Sequence, residues 1–431
     1  MRMGTRVTRL ENGMRVVSAV MPHVESVSIG IWVGAGGRHE AAALSGASHF
    51  IEHLLFKGTR RRTARDISQA IEGRGGDINA FTQEESTCYF ARVSAEHTWE
   101  ALDVLADMYG NATLSAPDVA KERDVVLEEI LMYRDQPHHQ VEEMLGQLLW
   151  RDHPLGQPLT GTVESLKGLG RRELLEYKSR YYVPGNTVLA VAGKMDHDSC
   201  VACARALLGK GNAGRTRQFL PVTPAVPQGR MQLASKEVEQ AHAAIGFRGF
   251  GRHDRRRYAL KLLNIILGEN MSSRLFQVVR EEHGLAYSIQ SAAHGFHDTG
   301  ALVVSAGLDR NRLEAAMKLI VRELVRMKQT AVARAELRRA KDYAVGQIRL
   351  GLESTSSQMM WMGEHFMAYG RLISPEETIA ALQAVTPAEI REVAGFLLRP
   401  GRSSIAMVLP DVSRALEREL ARSVRMLDGN R

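Results

Sequence analysis

Apolar and polar positions alternate with period two over Ser26 to Val33 and Ala241 to Phe247, which predicts strands. Asp77 to Thr82 and Thr87 to Val93 predict a strand pair, with Gln83–Ser86 as its turn. Ala41 to Phe56 carries helical spacing. Ser115 to Tyr133 predicts a long helix, with Ser115 as N-cap, Pro117 and Asp118 in its first turn, and Pro137 as its stop. Helical runs set between hairpin-like strands predict an α+β fold of mostly antiparallel sheets, each covered on one face by helices.

The pattern occurs twice. Gly37-Arg38-His39-Glu40 returns as Gly251-Arg252-His253-Asp254, 214 positions later, each copy after an alternating run and before a helical one. Pro184-Gly185 returns as Pro400-Gly401, 216 positions later. A helix precedes each (Arg171 to Tyr181; Pro387 to Leu398), and a strand follows (Thr187 to Val191; Ser404 to Val408). Two distant landmarks that share nearly one offset, half the chain, imply an internal duplication. Glycines and prolines crowd 209–229 without periodicity, as in an exposed linker. The expected organisation is therefore two homologous domains, 1–208 and 230–431, joined by 209–229.

Composition removes several function classes. The 431 residues hold 56 Lys and Arg against 49 Asp and Glu, a net charge of +7, and no aromatics interleave the basic clusters to stack bases. Nucleic acid is not an expected partner. No run of eighteen apolar residues is present, so no membrane-spanning helix is expected. The first twenty residues lack a secretory apolar core, and Cys88, Cys200 and Cys203 cannot staple a secreted fold, so a bacterial cytoplasm is the expected location. Cys200 and Cys203 read as two core thiols, since no second pair completes a zinc site. Gly34 to Gly37 lacks the Lys-Ser/Thr of a phosphate loop and reads as a strand-end turn. His138-His139 reads as decoration of a surface turn.

The sharpest chemical signal is His49-Phe50-Ile51-Glu52-His53. On a helix, residues four apart share a face, so His49 and His53 can present two imidazoles to one ion. Glu52 lies on nearly the same face, where a carboxylate can take a proton from water acidified by the ion. A catalytic zinc usually has three protein ligands. The 115–133 helix offers Glu122, Glu128 and Glu129. Glu122, Val126, Glu129 and Tyr133 lie along one face, with Glu128 about 100° off it. Periodicity makes Glu129 a candidate ligand and Glu122 a group that orients a histidine, and leaves exposed surface glutamates as an equal reading.

The H-x-x-E-H order resembles the inverzincins, the pitrilysin and mitochondrial-processing-peptidase family of zinc peptidases. In that family a glutamate about 76 positions after the second histidine completes the site, and Glu129 lies 76 after His53. The resemblance implies one zinc per chain on His49, His53 and Glu129, with Glu52 as base and Glu122 in support. Gly76 to Thr82 is similar to the family's edge strand, which pairs with the substrate backbone, implying substrate contacts from Asn79, Ala80, Phe81 and Thr82. His153 to Gly156, Gly161-Thr162, Tyr182 to Asn186 and Ser273 to Phe276 also match. So does Arg280 to Ser288, where the family uses an Arg and a Tyr seven apart on the scissile carbonyl, here Arg280 and Tyr287. From the residues alone, Arg280 is an exposed helix charge and Tyr287 a strand packing residue.

Shifting the metal motif by 214 lands on Leu263, Ile266 and Leu267, so the second half is a non-catalytic copy. The resemblance implies a zinc endopeptidase acting on extended or unfolded peptides. Larger relatives enclose peptides with four such units, so this two-unit chain implies a homodimer with Arg280 and Tyr287 acting in trans, or a heterodimer with a metal-free homologue. Gly268 to Ser273 lacks the glycine-rich loop of the processing peptidase's non-catalytic subunit, which implies the catalytic type. The competing readings are a structural subunit like the respiratory core proteins and a peptide clamp without turnover. Glu84, Glu85, Glu142 and Glu143 read as solvated charge rather than as a basic-peptide site.

Overall fold

The computed structural model describes residues 4–214, 218–223 and 230–428; within the expected linker, 215–217 and 224–229 lie outside the described residues. The chain forms two compact units. Unit one comprises Met1–Leu131, Gln157–Leu220 and Arg349–Ile373; unit two comprises Met132–Gly156, Pro221–Ile348 and Ser374–Arg431. Each is a mixed sheet covered by helices, the expected α+β class.

In unit one, β1 (Gly4–Arg9), β2 (Arg15–Val20), β3 (Ser26–Val33), β4 (Asp77–Thr82), β5 (Thr87–Ser94) and β6 (Thr187–Gly193) lie in the order β1-β2-β6-β3-β5-β4. Only β2 and β6 pair in parallel. β4 is an edge strand, hydrogen-bonded only to β5. On one face Val27, Ile29, Ile31 and Val33 join Ala91 and Leu189 under the helices Ala47–Leu55, Thr98–Asn111 and Ala116–Asp135.

The second face is also covered, which corrects the expectation of one covered face. Trp32, Cys88, Val188 and Ala190 pack on Met359, Met362 and Phe366 of the helix Thr355–Tyr369. The reason is in β3, which is buried at every position but its first. On the second face Trp32 is fully buried and the Ser28 hydroxyl bonds that of Thr355 at 2.9 Å, so neither face of β3 is left to water. Burial of each large side chain contributes roughly 1.5–3 kcal/mol. Two glycines permit the approach. A Cβ on Gly363 would lie 2.0 Å from Trp32 Nε1, and one on Gly30 would lie 2.4 Å from Met359 Sδ.

Unit two holds β7 (Arg230–Ser235), β8 (Gln240–Phe250), β9 (Ala286–Gly295), β10 (Thr299–Asp309) and β11 (Ser403–Leu409), in the order β7-β11-β8-β10-β9. This repeats β2-β6-β3-β5-β4, including the one parallel pair, here β7 with β11. Its second face is covered by the helix Pro137–Leu149, whose Val141, Leu145 and Leu149 meet Ala244, Ala406 and Val408. Pro137 both ends the preceding helix and opens this one, so His138 and His139 stand in a first helical turn rather than a surface turn. Each sheet is thus closed by a helix from the other half of the chain. Leu263, Ile266 and Leu267 are buried in the unit-two core. Among the described residues no helix is long and apolar enough to cross a membrane.

Candidate metal centre

The helical run expected over 41–56 is broken. A 3₁₀ turn at Ala42–Leu44 leads to Gly46, at φ +91°, and the helix proper is Ala47–Leu55. Gly46 adopts the left-handed conformation that a side chain disfavours. Both carboxylate oxygens of buried Glu40 accept backbone N–H groups at this start, from Gly46 and Ser48, each at 2.7 Å. Carboxylates are favoured there because the first N–H groups of a helix have no internal partner. Phe50, Ile51, Leu54 and Leu55 fill the core, which leaves His49, Glu52 and His53 on the half-buried face.

The helix Ala116–Asp135 supplies the opposite wall. The Ser115 hydroxyl accepts from Asp118 N at 3.2 Å, the cap the sequence predicts. Its buried stripe is Val119, Glu122, Val126 and Ile130. Glu129 is half-buried beside that stripe, and Glu128 is exposed.

His49, His53 and Glu129 each offer a ligand atom within 4.8 Å of the others. Glu129 Oε2 lies 3.7 Å from His49 Nε2 and 3.6 Å from His53 Nε2. The nearby Glu122 carboxylate, 2% exposed, accepts from His53 Nδ1 at 2.9 Å and from Lys57 Nζ at 2.8 Å. With its proton on Nδ1, His53 turns the Nε2 lone pair toward Glu129. Burial pushes the His49 imidazole down to about 3, with the His53 charge adding to it, so His49 is neutral at pH 7. His49 Nδ1 is buried without a hydrogen-bond partner among the described residues. The lone pair of neutral His49 facing the Glu129 carboxylate oxygen at this separation repels it unless a cation lies between them. Tetrahedral zinc spaces its donor atoms about 3.3 Å apart, and two histidines with one glutamate is an established catalytic donor set. The residues therefore fit a zinc ion.

Glu52 lies beside this group, and its Oε2 accepts from Thr82 Oγ1 at 2.6 Å, which joins the metal-motif helix to the β4 edge. Burial pushes the Glu52 carboxyl above its ordinary range, with Thr82 and the His53 charge opposing. Asn79, Ala80 and Phe81 are the neighbouring β4 residues.

Arg280 and Tyr287 belong to unit two, and the His49–His53–Glu129 cluster belongs to unit one. Arg280 sits in a π-helical segment, Phe276–Glu282, with its guanidinium 4.8 Å from the centre of the Phe276 ring. Tyr287, on β9, is 69% exposed, which corrects the residue-only reading of it as a packing residue. The cysteines are free; Cys200 is buried and Cys203 half-buried. Two partners went unread in the sequence. Lys57 stands one helical turn beyond His53, a spacing that could have flagged it. The bond from Thr82 to Glu52 crosses thirty positions and has no local signal.

Comparison with known proteins identifies the family. The family profile described as insulinase (peptidase family M16) matches residues 15–163, and that described as the peptidase M16 inactive domain matches 168–343. An uncharacterized zinc protease of Mycobacterium bovis is 41% identical over 399 residues, covering 91% of this chain and 90% of its own. One from Bacillus subtilis is 38% identical over 384 residues, 89% and 93% of the two chains. The solved structure of a protease from Helicobacter pylori shares the fold, with a TM-score of 0.90 at 22% identity over 95% of this chain and all of that one. With two family profiles spanning most of its length and relatives named zinc proteases along nearly all of it, the chain belongs to the insulinase-type peptidase family M16.

Proposed function

We propose that the chain is a zinc-dependent endopeptidase that hydrolyses extended or unfolded peptides. The observation that carries this is Glu52, placed beside the His49–His53–Glu129 group and hydrogen-bonded to the free sheet edge through Thr82. Zinc, held by His49, His53 and Glu129, would supply Lewis acidity to water and to the scissile carbonyl. Glu122 holds the His53 tautomer that this requires.

The peptide adds as a strand along β4, held by main-chain hydrogen bonds at Asn79 to Thr82. Glu52 takes a proton from the attacking water as its oxygen bonds to the carbonyl carbon. It delivers that proton to the nitrogen as the C–N bond breaks. Arg280 and Tyr287 stabilise the developing oxyanion. By likeness to larger relatives these two come from a second chain, so the working unit is a homodimer. The repeated strand order of the two units supports an internal duplication in which only the first copy kept the metal residues. Three free thiols suit a reducing cytoplasm.

Elemental analysis and a quenched-peptide assay on one sample test the reading. About one zinc per chain is expected, with cleavage lost to a chelator and restored by zinc. Glu52→Gln is expected to keep zinc and lose about 10²–10⁴-fold in kcat. Substantial residual activity in that variant removes Glu52 as the base. A folded wild-type chain that stays inactive and zinc-free after zinc addition favours a structural subunit instead.

A further inference from the structure

The tract Gly36–Glu40, of which Gly37–Glu40 recurs in the second half as a repeat landmark, makes two sets of bonds within five residues. At one end it holds the turn between β4 and β5. Gly37 N donates to Gln83 O at 3.3 Å and Arg38 N to Glu84 O at 2.7 Å, while Arg38 Nη1 donates to Glu85 at 2.6 Å. Gly36 has no room for a side chain there, since a Cβ would fall 1.9 Å from Gln83 O. Arg38 is 1% exposed; its guanidinium stacks 3.8 Å from the Phe219 ring centre, and Nη2 donates to Leu220 O at 3.2 Å. At the other end Glu40, 4% exposed, takes the Gly46 and Ser48 N–H groups at the start of the metal-motif helix. The turn leads directly into the β4 edge, and that edge meets the same helix through Thr82 and Glu52.

We infer that Gly36–Glu40 is a brace setting the metal-motif helix against the peptide-binding edge, with Glu40 and Arg38 as positioning residues. Glu40 orients the helix that carries His49 and His53. Arg38, clamped by Phe219 from the connecting segment, holds the β4–β5 turn and hence the edge strand. The inference rests on the proposed peptidase reading for what the helix and edge bind, and on the hydrogen bonds alone for the brace.

The two ends have separable readouts. Glu40→Gln keeps the shape but puts an amide N–H₂ against a backbone N–H, so one helix-start bond is lost. It is expected to weaken zinc binding about tenfold in chelator competition. It should also alter the visible spectrum of the cobalt-substituted protein, with KM unchanged. Arg38→Lys loses the fork that reaches both Glu85 and Leu220 and the flat face on Phe219. It is expected to raise KM several-fold, with zinc affinity and cobalt spectrum unchanged. Phe219→Ala should behave like Arg38→Lys, and Phe219→Tyr, which keeps the ring, should restore KM.

Amide hydrogen exchange reads the brace without activity. Protection should fall at Gly46 and Ser48 in Glu40→Gln, and at Gly37, Arg38 and the β4–β5 turn in Arg38→Lys and Phe219→Ala. Unchanged exchange at those amides overturns the brace, as does a cobalt spectrum unmoved by Glu40→Gln. So does an equal loss of zinc affinity and KM in all variants, which would be general destabilisation. A wild-type chain that takes up no zinc sinks the peptidase reading while the exchange experiment still decides the brace.

Discussion

Glu122 is a carboxylate buried beside the candidate metal site without an atom among the three candidate ligand atoms. Its two hydrogen bonds explain the burial: His53 Nδ1 and Lys57 Nζ each satisfy one oxygen. Removing it frees the imidazole to rotate and to change tautomer. Glu122→Ala is therefore expected to lower zinc affinity about 10–100-fold, read by competition with a chromogenic chelator, with the fold retained. Unchanged affinity would mean that packing alone orients His53. His49 shows the opposite economy. Its Nδ1 is buried without a partner among the described residues, so no hydrogen bond to that nitrogen orients the ring.

Among the elements, the helix Thr355–Tyr369 most clearly depends on the absence of side-chain atoms. Gly363 lies against the Trp32 ring, and an added methyl has no space. Gly363→Ala is expected to destabilise the chain by about 1–3 kcal/mol in urea unfolding, the usual cost of overpacking. Gly346→Ala, on a helix where a Cβ meets nothing within 4 Å, should instead be neutral or stabilise by up to about 1 kcal/mol. Equal effects at both sites would mean that helix propensity outweighs the contact.

The brace tract adds a pH dependence. Burial pushes the His39 ring down to about 4, with the nearby Glu85 opposing. Between pH 6.5 and 4 the unfolded chain binds the extra proton, so stability falls as pH falls through that window. The effect is worth about 3 kcal/mol when complete. Comparing urea midpoints at pH 7.5 and pH 4.5 should show a smaller drop in His39→Gln than in wild type. An identical drop would assign the acid sensitivity to other groups.

For the whole molecule, the sharpest prediction concerns which chain supplies which group. A Glu52→Gln chain and a Tyr287→Phe chain, each impaired alone, should recover activity in mixed dimers. At random pairing, half the dimers are mixed and each holds one intact pairing of Glu52 with Tyr287. Confirmed mixed dimers without recovery would return Arg280 and Tyr287 to their own chain or remove them from the reaction.

The elements near the site were largely legible. β3 at Ser26–Val33, β4 at Asp77–Thr82 and the helix Arg171–Tyr181 have the bounds that periodicity predicts. Their signals are local: alternation and a turn. The histidine and glutamate spacing was local too, because positions four apart on a helix share a face whatever surrounds it. That His49, His53 and Glu129 converge is different. Periodicity gave Glu129 no advantage over a surface glutamate, and choosing it took either the family spacing or the packing of two helices on one sheet face. Long-range placement likewise decided that each sheet is closed by a helix from the other half, that Glu40 reaches forward to Ser48, and that Arg38 is buried under Phe219. Local pattern records what a segment can bury; which partner buries it is settled by the competition of all apolar faces at once, and that competition exists only in the folded chain.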